Sequence, residues 1–265
     1  MTKSWIHSIA GLNKLDSVEQ LGYWRTLFPP ALLNRYHVNS ETFTDNEGRP
    51  LLVWVGPAGA NSVEVSLRHQ HDAPDPLVYF HLTDTIAQQI HVLLVVLNDP
   101  DSPRFDVDRM PDGRKTHFGS VDRNLEAEVA AMNAGLAPGQ VRRGLGNFRL
   151  AIGCFESFVQ MLGHDIYFVE PLAYHNAVIF ERYGFAYQQG RRWMQSLNTR
   201  FSAGGDLILR LDGSTLFRQP QFARTVRGRS WAIHDNILGE PYTGVIMYKR
   251  VGQEASESTF TGEAW

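Results

Sequence analysis

Hydrophobic and polar positions change their spacing several times along the chain, and each change marks an element. Leu21, Trp24 and Leu27 recur every three residues behind Ser17, with Gln20 as its capping-box partner, which predicts a helix that Pro29-Pro30 ends. Ala31 to Tyr36 predicts a second, shorter helix. Beyond the turn-rich Asp45 to Arg49, four runs carry strand character: Leu51 to Val55, Ser62 to Leu67, Leu77 to Leu82 and Ile90 to Leu97. Their short polar connections favour an antiparallel meander. The last run is apolar at nearly every position, so both its faces are expected to be covered.

Asn98 to Thr116 is rich in Asp, Pro, Arg and Gly and reads as an irregular excursion. A helix is expected from Asp122 to Asn133, stopped by Gly135 and Pro138. Gly144-Leu145-Gly146 then opens a helix in which Phe148, Ala151, Phe155, Phe158 or Val159, and Leu162 return at helical spacing, with Gly163 placed as its C-cap. Asp165 to Glu170 follows as a strand, Tyr174 to Tyr183 as a helix closed by Gly184, and Phe185 begins another strand. Asp206 to Leu211 and Gly244 to Val251 read as strands, whereas Ser214 to Tyr242 has no sustained period and the tail after Gln253 is polar and expected to fray. The fold class is therefore α+β, a mixed sheet with helices on both faces and an extended C-terminal region. The organisation expected is residues 1–212 as one domain interrupted at about 98–139, with 213–265 packed on it as an extension.

Composition narrows the partners. At 43% hydrophobic and 20% charged, the chain is that of a folded protein. A net charge of −3 supplies no global basic field, so nucleic acid is not an expected partner. One cysteine, Cys154, cannot form an internal disulfide, which fits a reducing cytoplasm; its place near an apolar helical stripe marks a small buried hydrophobe. Met1 to Gly11 lacks a signal-peptide core, and no apolar run is long enough to span a bilayer, so no membrane association is expected.

A glycine-rich turn feeding a helix aims backbone N–H groups at an anion, and the helix dipole adds about half a positive charge there. Val141-Arg142-Arg143-Gly144-Leu145-Gly146-Asn147 has this form, with two arginines as further phosphate donors and Arg149 beyond. Together with Ala173-Tyr174-His175-Asn176-Ala177-Val178-Ile179-Phe180-Glu181-Arg182-Tyr183-Gly184-Phe185, the stretch from about Gln140 to Tyr187 resembles the GNAT superfamily of acetyl-CoA-dependent N-acetyltransferases. Gly144 and Gly146 match its turn glycines, and Gly184-Phe185 its closing pair. The resemblance implies a twisted mixed sheet splayed near its middle, with the pantetheine arm of acetyl-CoA or another acyl-CoA in the splay. It puts the pyrophosphate on Arg142, Arg143, Gly144, Leu145, Gly146 and Asn147. It also implies transfer of the acyl group to an amine, of a small molecule or a peptide, by direct attack on the thioester.

Departures from the family pattern locate the chemistry to be tested. Val141 stands at the loop's leading Gln/Arg position and Ala173 at the helix asparagine; Asn176 either faces the cofactor or satisfies first-turn backbone donors. Phe180 occupies the position of the tyrosine that often protonates the departing thiolate, and Tyr183, three residues on, is the nearest hydroxyl on that helix. Glu170 and His175 are the candidate bases for the amine. A non-catalytic CoA-binding or regulatory relative is the alternative, and a metal-dependent protein using His69 and His71, with His81 and His91 on neighbouring runs, is the third reading, although no metal ligand set is assigned. Arg224, Arg227, Arg229, Trp231, His234 and Asp235 form a dense polar and aromatic group, read as a solvated loop or a pocket lining. The acceptor is not readable from the chain, and a homodimer is compatible with it.

Overall fold

The computed structural model describes residues 6–116, 122–262 and 265. Residues 1–5, part of the stretch read for a signal segment, 117–121, inside the expected interruption, and 263–264 of the tail lie outside them. In chain order the elements are α1 (Ile9–Leu12), α2 (Ser17–Trp24), α3 (Pro30–Arg35), β1 (Leu52–Val55), β2 (Ser62–Leu67), β3 (Val78–Asp84), β4 (Ile90–Leu97), α4 (Leu125–Asn133), α5 (Phe148–Met161), β5 (Ile166–Val169), α6 (Tyr174–Arg182), β6 (Ala186–Gln189), α7 (Arg191–Arg200), α8 (Asp206–Leu209), α9 (Val226–His234) and β7 (Ile246–Arg250). Among the described residues the strands form a seven-stranded mixed sheet in the order β1-β2-β3-β4-β5-β7-β6, so the architecture is α+β. Two compact units share the chain: residues 1–101, 144–170 and 248–254 form the first, and 102–143, 171–247 and 255–265 the second.

In the first unit, β1 to β4 form the expected antiparallel meander and β4 pairs with β5 in parallel. Alternation decides which face is buried. Val63, Val65 and Leu67 of β2, Val78, Phe80 and Leu82 of β3, and Ile90 and Val92 of β4 are all core residues. α5 lies on this face, its Phe155 ring 5.5 Å from Phe80 and 5.0 Å from Tyr167, and its Phe158 stacks 5.7 Å from Trp24 of α2. Each such ring contributes on the order of 1.5–3 kcal/mol by leaving water. The capping box predicted at Ser17 is not formed. Asp16 is the N-cap, accepting the amides of Val18 and Glu19 at 3.0 and 2.9 Å. Gln20 is instead buried, donating to the Leu12 carbonyl at 3.0 Å and accepting the Trp54 indole N–H at 2.6 Å.

The second unit is held by a different balance. Arg123 donates to Glu128 at 2.9 Å and to Asp235 at 3.0 Å, His234 meets Glu128 at 2.9 Å, and Arg218 donates to Asp235 at 2.9 Å. Burial alone would raise the Glu128 pKa, but hydrogen bonds from His234 and Arg123 outweigh it and hold the carboxyl below its usual range. Two strand and loop expectations are corrected here. Asp206 to Leu211 is not a strand but α8 followed by a turn, and the stretch after Ser214 contains α9, in which Val226 and every residue from Gly228 to Ile233 are buried. The described residues of the tail are tied down rather than frayed. Ala255 N–H donates to the Gly184 carbonyl at 3.0 Å, Glu257 pairs with Arg191 at 2.8 Å, and buried Glu181 accepts the Thr259 amide at 3.1 Å and its hydroxyl at 2.6 Å.

Candidate functional site

Register along β4 opens a gap in the first unit's sheet. Leu82 faces Val92, but His81 faces Leu94, so Leu93 is an extra residue on β4. Such a bulge bends the strand and interrupts its pairing. On its other side β4 pairs with β5 only at Ile90, His91 and Val92, against Tyr167, Phe168 and Val169, and the last bond runs from the Glu170 amide to the Val92 carbonyl at 3.2 Å. From Leu93 to Leu97 no described strand accompanies β4 on that side, a length of roughly 16 Å at about 3.3 Å per residue. The expectation that both faces of this apolar run are covered fails in this half: Leu94 is 36% exposed, and Leu93, Val95, Val96 and Leu97 are only half-buried.

The glycine loop precedes α5, also in the first unit. Gly146 holds a left-handed φ of +72°, which turns the chain into the helix at no steric cost, and Asn147 is an N-cap whose side chain makes no capping bond. The amides of Gly144, Leu145, Gly146 and Asn147 meet no acceptor among the described residues, and three of these four residues are exposed. A fourteen-residue helix adds its dipole at this end. A crevice of about 50 Å³ opens beside the loop, bounded by Leu145, Asn147, Leu150, Leu97, Leu27 and Arg35.

The remaining predicted site residues are scattered. Arg142 and Arg143 belong to the second unit, where the Arg142 guanidinium donates to the Ser102 carbonyl and the Arg143 amide to the Ser102 hydroxyl at 3.2 Å. Arg149 is solvated and pairs with Glu254 at 2.9 Å. Glu170 is exposed at the end of β5, beside the gap. His175 lies in the second unit, 4% exposed and 2.8 Å from the Ser230 hydroxyl; burial, and then the charge of His234, push its pKa down to about 3. Such an imidazole is a weak base without access to solvent. Tyr183 is half-buried at the C-cap of α6, and Phe180 is packed 4.9 Å from Phe185. Asn176 makes no capping bond among the described residues, where its buried Oδ1 has no hydrogen-bond partner. Cys154 is half-buried, and burial raises its thiol pKa, as befits an unreactive packing residue.

His71 binds its neighbour Asp72 at 2.9 Å, His81 meets the Ser62 hydroxyl at 2.9 Å, and no group of three metal-ligating side chains occurs among the described residues. The C-terminal polar group is not a solvated loop. Arg229 is 3% exposed, held between the Phe201 and Phe260 rings and donating to the Ala223 carbonyl at 2.7 Å.

One residue beside the gap was read only as a potential metal ligand. His91 is half-buried, its Nε2 has no hydrogen-bond partner among the described residues, and it sits opposite Phe168, one position before β4 leaves β5. Burial lowers its pKa, and the Glu170 carboxylate opposes that shift. The available signal was a lone ionisable residue inside an apolar strand. No described helix is long and apolar enough to cross a membrane. No family model, curated protein or solved structure matches the chain.

Proposed function

We propose that the protein is an acyl-CoA-dependent N-acyltransferase of GNAT type, passing an acyl group from the thioester to an amine. One observation carries the reading: β4 parts from β5 at a bulge, exposing an apolar strand edge, and the same unit presents, just before α5, four amides that meet no acceptor among the described residues. The edge suits an extended pantetheine arm whose amides can take strand-like hydrogen bonds. The amides suit a pyrophosphate. Gly144, Leu145, Gly146 and Asn147 would hold the phosphates, Leu93 to Leu97 would hold the arm, and a bound acyl-CoA supplies an activated carbonyl. The chain's own work is then to orient the thioester, exclude water and accept a proton from the amine.

Phe180 cannot donate a proton, yet general acid catalysis is typically worth about 10²–10⁴-fold, less than positioning can supply. A thiol's reference pKa of about 8.5 also makes the thiolate a tolerable leaving group. Phe180 buried against Phe185 favours a second reading, a relative that binds CoA without turning it over. Thermal unfolding with CoA and acetyl-CoA tests both. At about a hundred times the dissociation constant a ligand stabilises by roughly 2.7 kcal/mol. A shift with CoA together with thiol release in the presence of amines supports the transferase, a shift without thiol release supports the second reading, and no shift sinks both.

A further inference from the structure

Residues 255–262 cross the second unit without joining any helix or strand. Among the described residues they make one backbone–backbone bond, from the Ala255 N–H to the Gly184 carbonyl at 3.0 Å. Side chains of the body hold the rest. Glu181 of α6 accepts the Thr259 amide at 3.1 Å and the Thr259 hydroxyl at 2.6 Å. Thr261 follows two residues on, and so on the same side of an extended chain. Its amide donates to Asn198 Oδ1 of α7 at 3.3 Å, and Asn198 Nδ2 donates to its hydroxyl at 3.0 Å. Between the two threonines the Phe260 ring lies 4.7 Å from the Arg229 guanidinium of α9. A Cβ on Gly262 would stand 2.7 Å from the Arg224 carbonyl, so that position takes no side chain. Upstream, Glu257 pairs with Arg191 at 2.8 Å.

We propose that these contacts form a peptide-recognition groove that the chain's own C-terminal segment fills in cis, and that its ligand is an extended segment of a partner protein reading Glu-x-Thr-Phe-Thr-Gly. A tail that merely packs needs an apolar floor, whereas this floor is polar and directional. Glu181 and Arg229 are 5% and 3% exposed, and each turns a charged group toward the segment. A carboxylate that takes both the amide and the hydroxyl of one residue selects Thr or Ser there, and it repels an acidic or phosphorylated residue. Asn198 grips a backbone N–H as well, so the extended form is read together with the side chains. The chain's other Thr-Phe-Thr, at Thr42 to Thr44, is no competitor, because its ring is buried in the first unit and Asp45 stands where the groove takes only glycine.

With a single backbone bond to the body, the segment can lift without breaking a helix or a strand. Every contact lies within the second unit, so the inference is independent of the transferase reading.

The full-length protein serves for the test. The probe is a fluorescent peptide of residues 255–265, followed by anisotropy. Native protein holds its own segment at high effective concentration and should bind the probe weakly. Phe260→Ala loosens that segment and leaves the walls of the groove intact, so it should bind the probe about tenfold more tightly or better. Within the probe, Thr259→Val, Gly262→Ala or a phosphate on Thr259 should each weaken binding to the Phe260→Ala protein by about tenfold. Urea unfolding checks that this variant is folded, and should it not be, hydrogen exchange of the native protein decides. The Thr259 amide should then exchange through a local opening, with far less protection than the Trp231 amide inside α9. A folded Phe260→Ala protein that ignores the probe, equal binding of the altered peptides, or equal protection of Thr259 and Trp231 would overturn the inference. None of these readouts involves CoA, so the transferase reading stands or falls separately.

Discussion

α5 precedes and α6 follows the short strand β5 in the sequence, and the two helices treat their polar groups in opposite ways. Within the second unit, α6 buries His175 and Glu181 and supplies each with partners: Ser230 for the imidazole, and Thr259 with Tyr187 for the carboxylate. The loop leading into α5, in the first unit, has four successive amides that meet no acceptor among the described residues, beside a crevice. A polar group answered by its own fold is holding that fold together; one left unanswered awaits solvent or a ligand. By this criterion the loop before α5 is open to a ligand, whereas His175, the candidate base expected in α6, is engaged by its own fold.

The largest break of this contrast lies in the second unit. Glu128→Ala would take His234's carboxylate away and leave Arg123 with Asp235 alone, and removing one partner of a buried pair costs about 3–5 kcal/mol. Urea unfolding should show the midpoint fall accordingly. A loss below about 1 kcal/mol would mean that the ionic cluster is incidental to that unit.

Acid is the next probe. His175 titrates near 3 when folded and near its ordinary 6.5 when unfolded, so between those limits the unfolded chain binds the extra proton. Stability is untouched above pH 6.5 and declines as pH falls toward 3, by up to about 1.4 kcal/mol per unit. Urea midpoints across that range should be flatter in His175→Gln than in the native chain. Parallel curves would show that other groups carry the acid sensitivity.

The smallest effect concerns the bare helix end. Asn147→Asp puts a fixed negative charge at the N-cap of α5 and should stabilise the protein by about 0.5–1 kcal/mol, measured by denaturant unfolding. The same charge should repel a pyrophosphate, so the CoA-induced thermal shift should shrink. A stabilised protein with an undiminished shift would move the anion away from this loop.

The meander, the glycine loop and the β-α-β succession were legible because local rules decide them: alternation, a left-handed glycine and a single amphipathic stripe. α9 was hidden for the opposite reason. It is buried on nearly every side, so no polar face alternates with an apolar one. Asp206 to Leu211 is too short for a periodic signal to separate helix from strand. The tail looked polar and therefore loose, but its threonines and Glu257 meet partners distant in sequence. At the candidate site the loop could be read, whereas the opening between β4 and β5 depends on register, which no local pattern encodes.

Leu93 sets the phase of everything after it. Because one residue is spare, His91 and Leu94 share a side of the sheet although an odd number of steps separates them. Excising that single leucine would restore strict two-residue parity and carry the register of Ile90 to Val92 straight into that of Leu94 to Leu97. A deletion of one side chain, chemically bland in itself, would then remove the bend that the bulge puts into β4 just past its last pair with β5.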